Sequence, residues 1–151
     1  AYLQIDLLKA QGISLVFQET HRLPRRPHED IDMSYRLPRL MQEAGIPYAY
    51  SSKEHYDARN LPFIVWTSVV YGRTKEEALV GLTWYPGQIL GIADRLGSLE
   101  VGKDATLVIS KGDLLDMRTS EVSHAFIAGR KIDLGNKQQD LYQKFQRKYA
   151  K

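Results

Sequence analysis

Cysteine is absent from all 151 residues, which excludes disulfides, thiolate metal sites and cysteine nucleophiles while leaving the compartment open. No apolar run approaches the ~20 residues that carry a helix across a bilayer. No basic-then-apolar leader precedes the first element. The chain opens at Ala1 within what reads as a helix, so the expectation is a piece of a longer protein. Charge of one sign is scarce too: 21 Lys and Arg face 18 Asp and Glu, a net +3. Much of that excess falls in the closing "QKFQRKYAK", which reads as a solvated helix face. A basic stripe on a docking element is missing, so nucleic acid is not an expected partner, and neither is a membrane. Among four histidines there is no His-x-His pair. Internal repeats and low-complexity segments are also absent.

What is present belongs to a soluble globular protein: 43% hydrophobic and 26% charged residues, in a chain long enough to bury a core. Cytoplasm and periplasm fit equally. Leu3, Leu7 and Leu8 share a helical face, so roughly the first ten residues read as a helix that Gly12 ends. "ISLVFQETH" follows as a buried strand. "RLPRRPHEDIDMSY" is polar, proline-broken and charged with both signs, a long loop. Leu37, Leu40, Met41 and Ala44 recur at helical spacing before Gly45. A second strand runs from Ile46 to about Ser52, into a loop crowded with Glu54, His55 and Asp57.

"NLPFIVWTSVVYG" is too long and too evenly apolar for a strand and reads as a buried helix ending at Gly72. Thr74 and Glu77 form a capping-box pattern. Pro86 suits the first turn of a short helix that Gly91 stops. Strands alternating with helices in this way imply parallel pairing with helices outside. After Gly91 the pattern changes to short β-prone runs between glycine turns, which predicts a small antiparallel sheet. Gly129-Arg130 suits a type II′ hairpin turn. Asn136 can cap a last helix in which Leu141, Phe145 and Tyr149 recur every fourth residue.

One continuous block, "KEEALVGLTWYPGQILGIADRLGSLEVGKDATLVISKGD", resembles the C-terminal region of the metal-dependent amidohydrolases, and "VSHAFIAGRKI" resembles the hairpin that closes it. "RNLPF" and "THRLP" resemble the imidazolonepropionase-like branch. The likeness covers roughly residues 10 to 135. "GSLEVGK" itself reads as architecture: Gly91, Gly97 and Gly102 supply the tight turns into a separate sheet. Leu99 and Val101 are expected to bury on one face, with Glu100 and Lys103 in water.

The resemblance implies an α/β fold: residues 1–92 as about the last third of a (β/α)8 TIM-type barrel, 93–135 as a segment of an antiparallel composite β-sandwich, and 136–151 as a C-terminal helix. The two strands correspond to the seventh and eighth of the barrel. It further implies metal-activated water attacking a non-peptide C–N bond of a small-molecule substrate. A divalent metal, zinc the expected one, would be held by the full-length protein and not by this chain alone. The chain by itself is not expected to be catalytic. A metal-free relative serving as a binding or structural module is the alternative. A third reading is an independently folded fragment whose exposed apolar edges a second copy covers.

In the same alignment "AYSSK" places Lys53 where an aspartate is expected, and an ammonium has no lone pair for a metal. Either Glu54 or Asp57 supplies the carboxylate, or the ligand has been lost, or the alignment slips by a residue or more. Glu54 and Asp57 are the catalytic candidates, and His55 could be a ligand or proton shuttle. His21, beside Glu19 at the other strand end, is a substrate-contact candidate, against the reading of a buried, hydrogen-bonded histidine. Arg59 and Asn60 could grip a substrate carboxylate or pin the loop to the next helix. His28, Glu29, Asp30 and Asp32 form an acidic cluster matching no standard metal site, in a loop that could act as a lid. His124 reads as structural, and Trp66 and Trp84 as packing.

Overall fold

Helix starts and stops follow the local chemistry closely in the computed structural model, which describes residues 2–149. A 3₁₀ turn, Tyr2–Gln4, leads into α1 (Ile5–Ala10). Gly12 then turns the chain with φ +62°. Of the leucine stripe only Leu8 packs on the core, together with Ile5. Leu3 and Leu7 are exposed.

β1 (Leu15–Phe17) and β2 (Tyr48–Tyr50) pair in parallel, with Leu15 opposite Tyr48, Val16 opposite Ala49 and Phe17 opposite Tyr50. Both are shorter than the apolar runs suggested. Parallel neighbours need a long crossover, and α2 (Met33–Glu43) supplies it. This helix begins at Met33, so the last residues of the expected loop are its first turn. Pro38 lies inside it, fully buried. Sequence placed the start later because the stretch before it is polar, charged and broken by Pro24 and Pro27. Gly45 closes it with φ +71°.

The segment after β2 is a 3₁₀ helix, His55–Asn60, running directly into α3 (Leu61–Val70). α4 (Lys75–Val80) opens with the expected capping box: Glu77 N–H donates to Thr74 Oγ1 at 3.2 Å, and Thr74 N–H donates to the Glu77 carboxylate at 2.8 Å. α5 (Trp84–Ile89) contains Pro86 and ends before Gly91.

Phe17, Met41, Ile46, Tyr48, Tyr50, Val65, Ala78 and Leu115 form the core. Tyr48 and Tyr50 lie edge to face, with ring centroids 5.7 Å apart. Arg73 is buried beside them. Its guanidinium lies over the Tyr48 ring at 5.1 Å and donates to Gln42 Oε1 and to the Glu77 carbonyl.

The second sheet is antiparallel: β3 (Leu107–Ser110), β4 (Val122–Ile127) and β5 (Arg130–Lys131), with an irregularity between Ile109 and Ser110. The hairpin turn is not the expected type II′ at Gly129-Arg130. Arg130 pairs with Ile127, and Ala128 and Gly129 both have positive φ, +48° and +77°. Two consecutive positive values make the turn type I′, whose twist matches that of the strands.

Leu99 and Val101 also depart from expectation. Both are exposed to solvent. Lys103 goes inward instead, its side chain 10% exposed and its ammonium 4.8 Å from the Trp84 ring centroid. The aliphatic stem and the cation–π contact together outweigh simple alternation here. Leu115, from the loop between β3 and β4, reaches the main core. Nearby, Lys75 pairs with Asp113 at 2.5 Å. α6 (Lys137–Tyr149) is capped by Asn136, whose side chain accepts from Gln139 N–H at 3.0 Å, and it is exposed along its whole length.

Candidate functional site

Because β1 and β2 run in parallel, their carboxyl ends open at the same level. Ser51 N–H donates to the Phe17 carbonyl at 2.8 Å, extending the pairing one step beyond the strands. The segments that leave them, Gln18–Arg22 and Ser51–Lys53, line a groove of about 330 Å³ together with Asp57 and Ile64. Open α/β sheets and barrels bind ligands at this end of their strands.

Lys53 and Glu19, both in that lining, form an ion pair at 3.0 Å. Arg25 reaches the same carboxylate at 3.2 Å. The hydrogen bond from Lys53, followed by its charge, holds the Glu19 carboxyl below the ordinary carboxylate range. The same bond raises the Lys53 ammonium above the ordinary lysine value, so it stays protonated. The pairing follows from register: Phe17 is opposite Tyr50, which brings the residues two and three steps further along to the same height. "QETH" and "YSSK" held that signal, but only strand pairing makes it readable.

His21 lines the groove, yet its ring is committed to the wall. Nε2 lies 2.7 Å from Thr67 Oγ1, and the imidazole packs edge-on to Tyr35 at 5.4 Å. Burial lowers its pKa, partly offset by the Ile64 backbone; the neutral ring is favoured near pH 7. Thr20, 8% exposed, lines the same groove, and its hydroxyl has no hydrogen-bond partner. Sequence gave no reason to single it out.

Of the other candidates, Asp57 lines the groove, whereas Glu54, His55, Arg59 and Asn60 are exposed outside its lining. Asn60 precedes α3 without a side-chain capping bond. The acidic loop is tied down by arginines: Glu29 to Arg22 at 2.8 Å, and Asp30 and Asp32 to Arg36 at 3.5 Å each. His28 is exposed. His124 lies in β4 beside Ser123 at 3.2 Å.

Among the described residues no three His, Asp or Glu side chains gather to hold a metal ion. In the groove Glu19 is engaged by two cations and His21 by Thr67, Lys53 offers donors only, and Asp57 completes no set of three ligands with them. These residues do not fit a divalent metal.

The model of the amidohydrolase family matches residues 11–132. An imidazolonepropionase from Thermoplasma volcanium is 36% identical over 83 residues, covering 52% of this chain and 20% of that protein. One from Erwinia tasmaniensis is 51% identical over 39 residues, or 26% of this chain and 10% of that protein. An amidohydrolase structure from Thermotoga maritima superimposes with TM-score 0.72 at 29% identity, over 88% of this chain and 34% of that one. An adenosine deaminase from Xanthomonas campestris, solved with bound zinc, shares the fold at TM-score 0.58 and 19% identity, over 98% of this chain and 40% of that one. The chain therefore spans well under half the length of these relatives.

Proposed function

This chain belongs to the amidohydrolase family, and on that premise we propose that the whole protein hydrolyses a non-peptide carbon–nitrogen bond in a small molecule bound at the ends of β1 and β2. One observation carries this reading: Glu19, His21, Lys53 and Asp57 converge on a groove at the carboxyl ends of two parallel strands. In this reading β1 and β2 are the last two strands of a barrel whose remainder lies outside this chain. Residues 93–135 form part of the flanking sandwich, and 136–151 a terminal helix.

The reaction adds a water oxygen to the carbon of the C–N bond. The bond breaks, and the nitrogen leaves with a proton. In this reading Asp57 takes the water's proton, because Glu19, the other groove carboxylate, is engaged by two cations. Glu54, the second candidate, would have to swing in from outside, as would Arg59 and Asn60 to hold a substrate carboxylate. His21 offers a neutral, wall-anchored face to the substrate. A divalent ion, zinc by family resemblance, would take its ligands from side chains outside this chain.

The second reading, a metal-free relative that binds a ligand without cleaving it, is favoured by the Lys53–Glu19 pair at the strand ends. Amine or ammonia release from a panel of lactams and amides, measured on the full-length protein with and without added zinc, separates the two. Release that falls at least about a hundredfold in Asp57→Asn, as expected for loss of a general base, supports hydrolysis. Saturable binding of the same compounds with no release supports the binding module.

A further inference from the structure

We propose that α6 folds back onto the part of the protein outside this chain, with Leu141, Tyr142, Phe145 and Tyr149 as its docking face. This rests on the barrel reading above, in which the remainder of the barrel precedes Ala1. Every residue of α6 is exposed, these four included. They fall on one side of the helix, and the Phe145 and Tyr149 rings stack with centroids 6.2 Å apart. A helix of 13 residues standing alone in water is marginal, because helices draw most of their stability from packing an apolar face. Among the described residues no element covers this one, so its cover comes from outside them.

Length chooses the occupant. This chain covers 34% and 40% of two solved relatives, so more than half of each lies outside the match. The second match spans 98% of this chain, a share that cannot leave out a 13-residue helix. A helix at this place therefore belongs to the shared fold and is no loose appendage. A second copy is the poorer fit: a stable dimer buries about 1,200 Å² or more in total, and four side chains on a helix about 20 Å long fall short of one partner's share. Charge describes the receiving surface. On the helix Lys137, Lys144 and Lys148 border one side of the apolar stripe, and Gln139 and Gln146 the other. The surface that takes α6 is an apolar groove with carboxylates along one rim.

The test uses the full-length protein and hydrogen exchange read by mass spectrometry. Amides from Leu141 to Tyr149 are expected to exchange at least about a hundredfold more slowly than the unstructured rate, as in a packed helix. Phe145→Ser should remove at least about tenfold of that protection while β2 stays protected, and Gln143→Ser, away from the stripe, should change nothing. Carbodiimide coupling of the wild-type protein needs no variant. It should join Lys144 or Lys148 to an aspartate or glutamate that precedes Ala1, within one molecule. Exchange of α6 at the unstructured rate, or the absence of such a link, overturns the proposal. Protection that appears only on dimerisation, or only with phosphatidylserine vesicles, also overturns it and assigns the face to a second copy or to a lipid surface. If amine release fails while α6 is protected, the hydrolase reading falls and this one stands; release with α6 unprotected does the reverse.

Discussion

Replacing Gly97 with alanine should cost more than replacing Gly102 with alanine, although the two backbones are almost the same. Gly97 has φ +96° and Gly102 has φ +94°, a conformation that costs an L-residue about 1–3 kcal/mol. What differs is the space. A Cβ on Gly97 would lie 2.9 Å from the Thr83 carbonyl oxygen and 3.3 Å from Trp84 Cα, both backbone atoms at the start of α5. At Gly102 nothing lies within 4 Å. Forcing atoms into filled space adds roughly 1–3 kcal/mol, so Gly97→Ala should lose roughly 2–6 kcal/mol and Gly102→Ala only the strain component of ~1–3. Equilibrium urea unfolding, with ΔΔG taken from midpoints at constant slope, measures both. Equal losses in the two variants would show that residues 93–98 do not turn against the start of α5, and the account of this junction would fail.

Three further outcomes follow from the same physical reasoning. Leu115→Ala should destabilise by about 2–5 kcal/mol, as for a fully buried leucine; a loss below about 1 kcal/mol in urea unfolding would mean that the β3–β4 loop does not enter the core. Thr74→Ala should cost roughly 0.5–2 kcal/mol through the capping box, and an unchanged unfolding midpoint would count against that cap. The Asp116 carboxyl, held at about 2 chiefly by hydrogen bonds from Arg118, should titrate there by NMR and move up toward the ordinary carboxylate range in Arg118→Ala. Because its folded value is depressed, the stability it contributes is full above the unfolded value near 4 and is lost as pH falls through about 2. A wild-type midpoint near 4 would refute the pairing.

Much of the architecture could be read from local chemistry because each signal was complete within a few residues. Gly12, Gly45, Gly72 and Gly91 sit just past helix ends with positive φ. Thr74 and Glu77 cap each other across one turn. Parallel pairing of the two early strands followed from the helix between them. Errors arose where a distant contact decided the outcome. Alternation put Leu99 inside, but Trp84 takes the Lys103 stem instead. The polar, proline-broken stretch that runs into Met33 hid the first turn of α2. The hairpin moved by one residue because Ala128 adopts positive φ, which nothing in the local sequence required.

The candidate site was legible by position and not by contact. His21 and Asp57 line one groove, one from the exit of β1 and the other from the 3₁₀ helix after β2. The Glu19–Lys53 pair and the unpartnered Thr20 hydroxyl depend on register and burial, quantities that a single strand does not reveal. Glu54, Arg59 and Asn60 are exposed outside the groove lining: Glu54 precedes the 3₁₀ helix that opens at His55, and Arg59 and Asn60 close it.

The most direct test of the account is a crystal structure of the full-length protein with a non-hydrolysable amide analogue bound. The account predicts ligand density at the carboxyl ends of β1 and β2, within contact of Lys53 and Asp57. Density at the opposite end of those strands, beside Leu15 and Tyr48, or on the antiparallel sheet would contradict it.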